Sequence, residues 1–241
     1  MTVTTHGPGR VRSDDELKTL VEQASAQLSE ATARELVSWA GEVFGSRLAV
    51  ACSMAADTVL PHLVSQAVPG VDVLFLDTGY HFAETYGTRD ALAEVIQARI
   101  VNVTPRQSVA EQDAEHGPRL HDVDPGRCCH LRKVDPIDAE LTGYEAWVTG
   151  IRREDNALRA DAALIEWDAR HQMVKINPIA AWSFDDVVDY AHTNGVPINV
   201  LLTAGYPSIG CEPCTRAVSP EEDPRAGRWA GLAKTECGLH L

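Results

Sequence analysis

The sequence predicts an α/β protein with a mostly parallel sheet covered by helices on both faces. Two observations carry this. Several short runs are apolar throughout rather than alternating, as strands buried on both faces are. Stretches with helical spacing separate them, the order that joins parallel strands through crossovers.

Ser13-Asp-Asp-Glu16 is a capping box, with Ser13 as N-cap and Glu16 three residues on. Leu17, Leu20, Val21, Ala24 and Leu28 follow at helical spacing and predict an amphipathic helix on the outside of the core. The first dozen residues read as loose. RLAVACS (47–53) is a short apolar strand, and DTVLPHLVSQA (57–67) a helix with Pro61 in its first turn. VDVLFLDTG (71–79) is a second buried strand, HFAETYGTRDALAEVIQA (81–98) a helix and RIVNVTP (99–105) a third strand. A helical stretch around Cys128 to Leu141 leads to a fourth strand, EAWVTGI (145–151). ALIEWDARHQMVKINPI (163–179) reads as two short strands around a polar turn. Ser183 opens a further helix that runs to Asn194-Gly195, a C-cap pair. PEEDPRAGRWAG (220–231) reads as a flexible linker to the C-terminus. No internal repeat or low-complexity tract is visible.

With 241 residues the chain is long enough for one large domain or a domain plus an appendage. Lys and Arg total 21 against 35 Asp and Glu, a formal net charge of -14. That balance excludes broad binding to nucleic acid or to an anionic membrane, though not a local basic pocket. No apolar run approaches the roughly 20 residues of a membrane span, and the N-terminus lacks the apolar core of a signal peptide. A cytoplasmic protein is expected, in which the six cysteines serve metal binding or catalysis rather than disulfides.

In open parallel sheets ligands bind beyond the carboxyl ends of the strands. Three segments fall there: Cys52-Ser53-Met-Ala-Ala-Asp57, Asp77-Thr78-Gly79 and Thr149-Gly150-Ile-Arg152-Arg153. The small residues of the first let backbone N–H groups approach an anion. Each alone is as well read as a plain turn; together at one sheet edge they suggest a nucleotide or phosphate pocket. Arginines and lysines cluster nearby in sequence, at Arg127, Arg132 and Lys133, at Arg152, Arg153 and Arg159, and at Arg216, Arg225, Arg228 and Lys234. Some are solvated surface; beside glycine turns and cysteines, others suit a small, highly charged anion.

The strongest signal is Cys128-Cys129 followed at a distance by Cys211-Glu-Pro-Cys214. Two short thiol clusters make a metal or iron–sulfur site. Adjacent cysteines suit the paired CxxC geometry of zinc poorly, because neighbouring side chains diverge on a strand and lie about 100° apart on a helix. The spacing therefore favours a [4Fe–4S] cluster over zinc. Cys52 and Cys237 are left over. Cys52 ends an apolar strand and reads as a small buried hydrophobe. Cys237 lies in a polar tail beside Lys234 and His240, cations that favour its thiolate if they approach.

The ordered combination of CCHLRKVDP (128–136), TGIRRED (149–155), GCEPCTRAV (210–218) and KTECGLH (234–240) resembles the assimilatory adenylyl-sulfate reductase family, from about Arg47 to the C-terminus. The resemblance implies an adenine-nucleotide α-hydrolase-like fold and reduction of adenosine 5′-phosphosulfate to sulfite and AMP, with thioredoxin as donor. It implies a [4Fe–4S] cluster on Cys128, Cys129, Cys211 and Cys214, with Cys237 as nucleophile, assisted by Lys133 and His240. By motif position Ser53, Thr78, Gly150, Arg159, Arg225 and Arg228 would bind the substrate. The first loop, CSMAAD, departs from the family, whose members often carry glycine and more serines there. On this reading residues 1–46 are an N-terminal helical segment, 47–219 the nucleotide- and cluster-binding domain, and 220–241 a mobile catalytic tail. Three alternatives stay open: the same chemistry on the 3′-phosphorylated nucleotide, a PP-loop ATP pyrophosphatase, and a zinc or iron–sulfur module without activity.

Overall fold

The structure, a computed structural model, describes residues 5–231 together with Lys234 and Gly238. Six strands form one sheet: β1 (Leu48–Cys52), β2 (Val71–Leu76), β3 (Ala98–Val103), β4 (Ala146–Val148), β5 (Ile165–Asp168) and β6 (Met173–Ile176). Their spatial order is β3-β2-β1-β4-β6-β5, and every pair is parallel except the hairpin of β5 with β6. The mostly parallel sheet expected from the continuous apolar runs is thus present.

Burial explains those runs. Along β1, Leu48, Val50 and Cys52 enter the larger core, while Ala49 faces a second core on the opposite side. The larger core lies under α1 (Asp14–Gln27), α2 (Ala33–Phe44), α3 (Val59–Ala67), α4 (Ala83–Ala93) and α9 (Phe184–Asn194). After β3 come α5 (Val109–His116), α6 (Leu120–Val123), α7 (Pro125–Cys129) and α8 (Asp135–Leu141). Ile137 and Leu141 of α8 meet Leu74, Val101, Tyr144 and Trp147 in the second core. Ser13, Thr32, Ser108 and Ser183 each cap a helix in a reciprocal box with an acidic residue three positions on. Between α7 and α8, His130–Val134 form one π-turn, whose wider i→i+5 bonding shifts the phase of the side chains that follow.

Two segments differ from expectation. The N-terminal arm is pinned rather than loose: His6 N–H donates to Glu140 at 2.7 Å, Gly9 N–H to the Gly143 carbonyl at 3.0 Å, and the amides of Val11 and Arg12 to Glu145 at 2.7 Å. Residues 220–231, expected as a linker, fold back on the body. Arg228 bridges to Thr215, Trp229 N–H donates to the Cys214 carbonyl at 3.0 Å, and Trp229 is buried. A tryptophan side chain gains too much from burial to stay in solvent when an apolar wall is within reach. Among the described residues, no helix is long and apolar enough to cross a membrane.

Candidate active site

The sheet order reverses between β1 and β4, with β2 beyond one and β6 beyond the other, so the loops after these strands diverge and leave a crevice. A cavity of about 530 Å³ opens there. Its floor includes Ala51, Leu74 and Trp147 of the sheet; its rim carries Ser53, Asp57, Thr78, Thr149 and Gly150; and Pro207–Gly210 with Arg225, Arg228 and Trp229 form a wall. Apolar floor and polar rim are the makeup of a small-molecule site. Ser53, Thr78, Gly150, Arg159, Arg225, Arg228 and Lys133 all line it, so the residues chosen from sequence motifs converge on one space.

Close approaches fix the rim. A Cβ on Gly150 would lie 2.8 Å from Asp57 Cβ, so only glycine lets the loop after β4 pass the loop after β1. Asp57 accepts from Ser53 N–H at 2.6 Å and Ala55 N–H at 3.0 Å. The carboxylate thus takes two of the amides expected to face an external anion. Positive charge comes instead from the wall. The Arg228 guanidinium lies 4.6 Å from the centre of the Trp229 ring and donates to Ser208 Oγ at 3.2 Å and the Ile209 carbonyl at 3.1 Å. Arg225 reaches the same Ser208 hydroxyl at 3.5 Å. Arg159 pairs with Asp155 at 2.9 Å, and Arg152 with Glu154 and Asp155.

Beside this cavity is a smaller one lined by Cys128, Cys129, Cys211 and Cys214 with Tyr80, His121, Arg132 and Trp229. Cys128 and Cys129 sit at the end of α7, both buried, where the π-turn begins. Cys211 bridges to His81, Glu212 N–H donates to the Tyr80 carbonyl at 2.8 Å, and Cys214 N–H closes a tight turn on the Cys211 carbonyl at 3.0 Å. Burial, then the neighbouring Cys129, Cys211 and Cys214, push the Cys128 thiol up to about 12. Burial and then Cys211 push Cys214 up to about 11. The raised Cys128 and Cys214 thiols stay neutral on their own, and become thiolates only when a cationic group offsets the charge. The Nε1 of Trp229 and the Nδ1 of His121 have no hydrogen-bond partner among the described residues, although both are buried and both side chains line this cavity. The residues therefore fit a four-thiolate group that carries acceptor atoms of its own. Among the described residues, no three His, Cys, Asp or Glu side chains form a site for one metal ion.

Lys133 lines both cavities. Its place follows from the π-turn, which sends Arg132 toward the loop after β2, where it donates to the Thr78 carbonyl and to Gln112. Cys52 is 5% exposed, and burial raises its thiol well above its ordinary value, in line with an inert apolar role. Cys237 and His240 lie outside the described residues. Their neighbour Gly238 is described and rests beside Val134, the last residue of the π-turn. Three contributors escaped sequence reasoning. In sequence Asp57 reads only as the end of a loop, Ser208 belongs to no motif, and Trp229 falls in a stretch that reads as a linker. The one available signal was a tryptophan in a stretch otherwise suited to solvent.

A switch-point cavity beside a buried four-thiol pocket, with Lys133 and Trp229 lining both, defines an adenine-nucleotide-hydrolase-like α/β protein with a cysteine-based second site. The family profile described as the phosphoadenosine phosphosulfate reductase domain matches residues 47–217, and the chain belongs to that family of enzymes. It is 56% identical over 229 residues to the adenosine 5′-phosphosulfate reductase of Streptomyces coelicolor, covering 95% of this chain and 97% of the relative. Identity to the enzyme of that name from Mycolicibacterium smegmatis is 55%, with the same coverage. The crystal structure of phosphoadenylyl-sulfate reductase from Candida auris superposes with a TM-score of 0.70 at 26% identity, over 87% of this chain and all of that one. A Candida glabrata FMN adenylyltransferase shares the fold alone, with a TM-score of 0.53 at 12% identity over 88% of this chain and 79% of its own.

Proposed function

We propose that this chain reduces adenosine 5′-phosphosulfate to sulfite and AMP, with thioredoxin as electron donor, in the cytoplasm. The observation that carries the reading is the placement of Lys133, which lines both the nucleotide-sized cavity and the four-thiol pocket. The names of the relatives that cover nearly the whole chain support the unphosphorylated nucleotide as substrate. Adenosine would lie over the apolar floor, with the phosphosulfate toward Lys133, Arg225 and Arg228. These cations offset charge on the substrate and the charge that develops on its leaving group.

The Cys237 thiolate attacks the sulfur of the sulfate. The bond from that sulfur to the bridging oxygen breaks, and AMP leaves with the electron pair. Cys237 then carries a thiosulfonate, S–SO3⁻. A thioredoxin thiolate attacks the Cys237 sulfur, forms a mixed disulfide and expels sulfite, and the second thioredoxin thiol closes its own disulfide and returns Cys237 as a thiol. Two thioredoxin thiols supply both electrons. His240, three residues after the nucleophile, is placed in sequence to assist its deprotonation. Cys128, Cys129, Cys211 and Cys214 would hold a [4Fe–4S] cluster, which would supply fixed charge beside the substrate rather than electrons. A reducing compartment suits an enzyme that works through free thiols.

The ATP pyrophosphatase reading loses ground because the first loop, CSMAAD, lacks the glycines of the SGGxDS-like loop that holds pyrophosphate. The test is sulfite and AMP release by anaerobically purified protein, given each nucleotide with thioredoxin. We expect turnover of the 5′-phosphosulfate, a brown protein and about four iron and four sulfide per chain. Faster turnover of the 3′-phosphorylated nucleotide would overturn the substrate assignment. Full activity in colourless, zinc-loaded protein would overturn the cluster.

A further inference from the structure

The turn between β5 and β6 carries a charged network that the proposed chemistry does not use. Asp168 accepts from the amides of Arg170 and His171, both at 3.1 Å, and from His171 Nδ1 at 2.7 Å. The other ring nitrogen of His171 lies 3.0 Å from Asp138 Oδ1 on α8, and the ring stands edge-on to Trp147, on the floor of the nucleotide cavity. The His171 side chain is only 4% exposed, so the network is fixed in place. Arg170 extends from it. One guanidinium nitrogen donates to Asp138 Oδ2 at 2.9 Å, and another donates to the backbone carbonyl of Gly238 at 2.8 Å.

Gly238 adopts φ +86°, in the left-handed region where glycine alone is unstrained. A Cβ there would lie 3.9 Å from Val134 Cγ2, so only a methyl-sized gap separates the glycine from the π-turn that carries Lys133. Cys237 is the preceding residue, and consecutive Cα atoms lie about 3.8 Å apart. A contact that holds Gly238 therefore tethers the residue before it in the chain.

We propose that Arg170, braced by Asp138 and His171, is a positioning residue that clasps the Gly238 carbonyl and so aligns Cys237 for attack on the substrate. The inference rests on the reading of Cys237 as nucleophile. Arg170 itself touches no reacting atom. A guanidinium suits the task because its planar fork serves the carboxylate on α8 and the carbonyl on the tail together, which an ammonium on a flexible stem does less well. The contact is also partly open to water, with the Arg170 side chain 33% exposed. It can release when the modified cysteine meets its reductant.

The test uses full-length, anaerobically purified protein carrying Arg170→Ala or Arg170→Lys, mixed with adenosine 5′-phosphosulfate and no reductant. Three quantities are read: the rate of SO3 addition to Cys237 at saturating nucleotide, the affinity for AMP, and the rate at which iodoacetamide alkylates Cys237 in substrate-free protein. Misalignment costs rate rather than affinity, so Arg170→Ala should form the adduct about ten to a hundred times more slowly. AMP affinity should stay within about twofold, since no contact to the nucleotide is lost. Alkylation should quicken, and Arg170→Lys should fall between Ala and wild type on both rates. If Arg170→Ala does not fold, the lysine variant alone decides, because it keeps the charge beside Asp138 and loses only the fork. Unchanged adduct and alkylation rates in the variant that folds would overturn the clasp, as would a loss of AMP affinity equal to the loss of rate. Absence of any adduct at Cys237 in wild-type protein would instead overturn the nucleophile assignment.

Discussion

The Thr78 hydroxyl stands 3.3 Å from the Cys211 sulfur. This contact ties the loop after β2, on the rim of the nucleotide cavity, to the CxxC turn of the thiol pocket. Thr78 is fully buried, and the same hydroxyl accepts from Tyr80 N–H at 3.2 Å, which leaves its proton free to point at sulfur.

Thr78→Val removes the hydroxyl at nearly constant volume. Groups that hydrogen-bond metal ligands commonly contribute ten- to a hundredfold in metal affinity or activity. With the proposed cluster on Cys211, the valine variant should release iron to a chelator about tenfold faster than wild type, with an unchanged far-ultraviolet spectrum. Equal release rates would show that the contact does not steady the ligand.

Gly210→Ala tests the arginine wall. A Cβ at this position would collide with the Arg228 guanidinium, which must then leave its seat between Ser208 and Trp229. A flexible side chain can swing away at little cost to folding. Losing one charge-assisted contact is worth about 1.5–3 kcal/mol, so KM for the nucleotide should rise about tenfold or more while iron content holds. Unchanged KM would place Arg228 outside the substrate site.

The strands and the convergence of the motifs were legible because each rests on local chemistry: Leu48 to Cys52 is apolar on both sides of the pleat, and CC and CxxC are short-range patterns. What was hidden depends on distant contacts. The π-turn at His130–Val134 leaves no local mark, because its phase shift is set by the separate destinations of Arg132 and Lys133. Asp57 carries no local sign that it folds back onto its own loop. Trp229 and the arm from His6 to Arg12 look solvent-suited in sequence. Their partners, Cys214, Glu140 and Glu145, lie elsewhere in the chain.

Cys52→Ser separates the buried thiol from the chemistry. Cys52 Sγ lies 3.7 Å from both Met54 Sδ and the Asp57 carbonyl, long contacts that suit sulfur and that a shorter serine hydroxyl meets less well. The substitution should cost about 1–3 kcal/mol in stability, read as a lower Tm, without loss of the SO3 adduct. An adduct lost in this variant but kept in Cys237→Ser would reverse the roles of the two cysteines.

Arg12→Ala tests the pinned N-terminal arm. Glu145 opens the approach to β4 and its side chain is fully buried. Burial by itself would raise the Glu145 pKa, but the amides of Val11 and Arg12 and the Arg12 guanidinium outweigh it and hold the group below its ordinary value. A carboxylate with a depressed folded pKa adds stability above its unfolded pKa, and that stability fades as pH falls through the folded value. Removing Arg12 leaves a buried carboxylate without its counter-charge. Breaking such a pair costs about 3–5 kcal/mol when both groups are buried; with the Arg12 side chain 34% exposed, about 2–3 kcal/mol is expected. The variant should therefore melt well below wild type at neutral pH, and the gap should narrow toward about pH 4, where Glu145 in the variant can take a proton. Melting curves across that range decide the point. A gap that stays constant or widens in acid would mean that the arm is held by contacts such as Gly9 to Gly143 and not by the charge on Glu145.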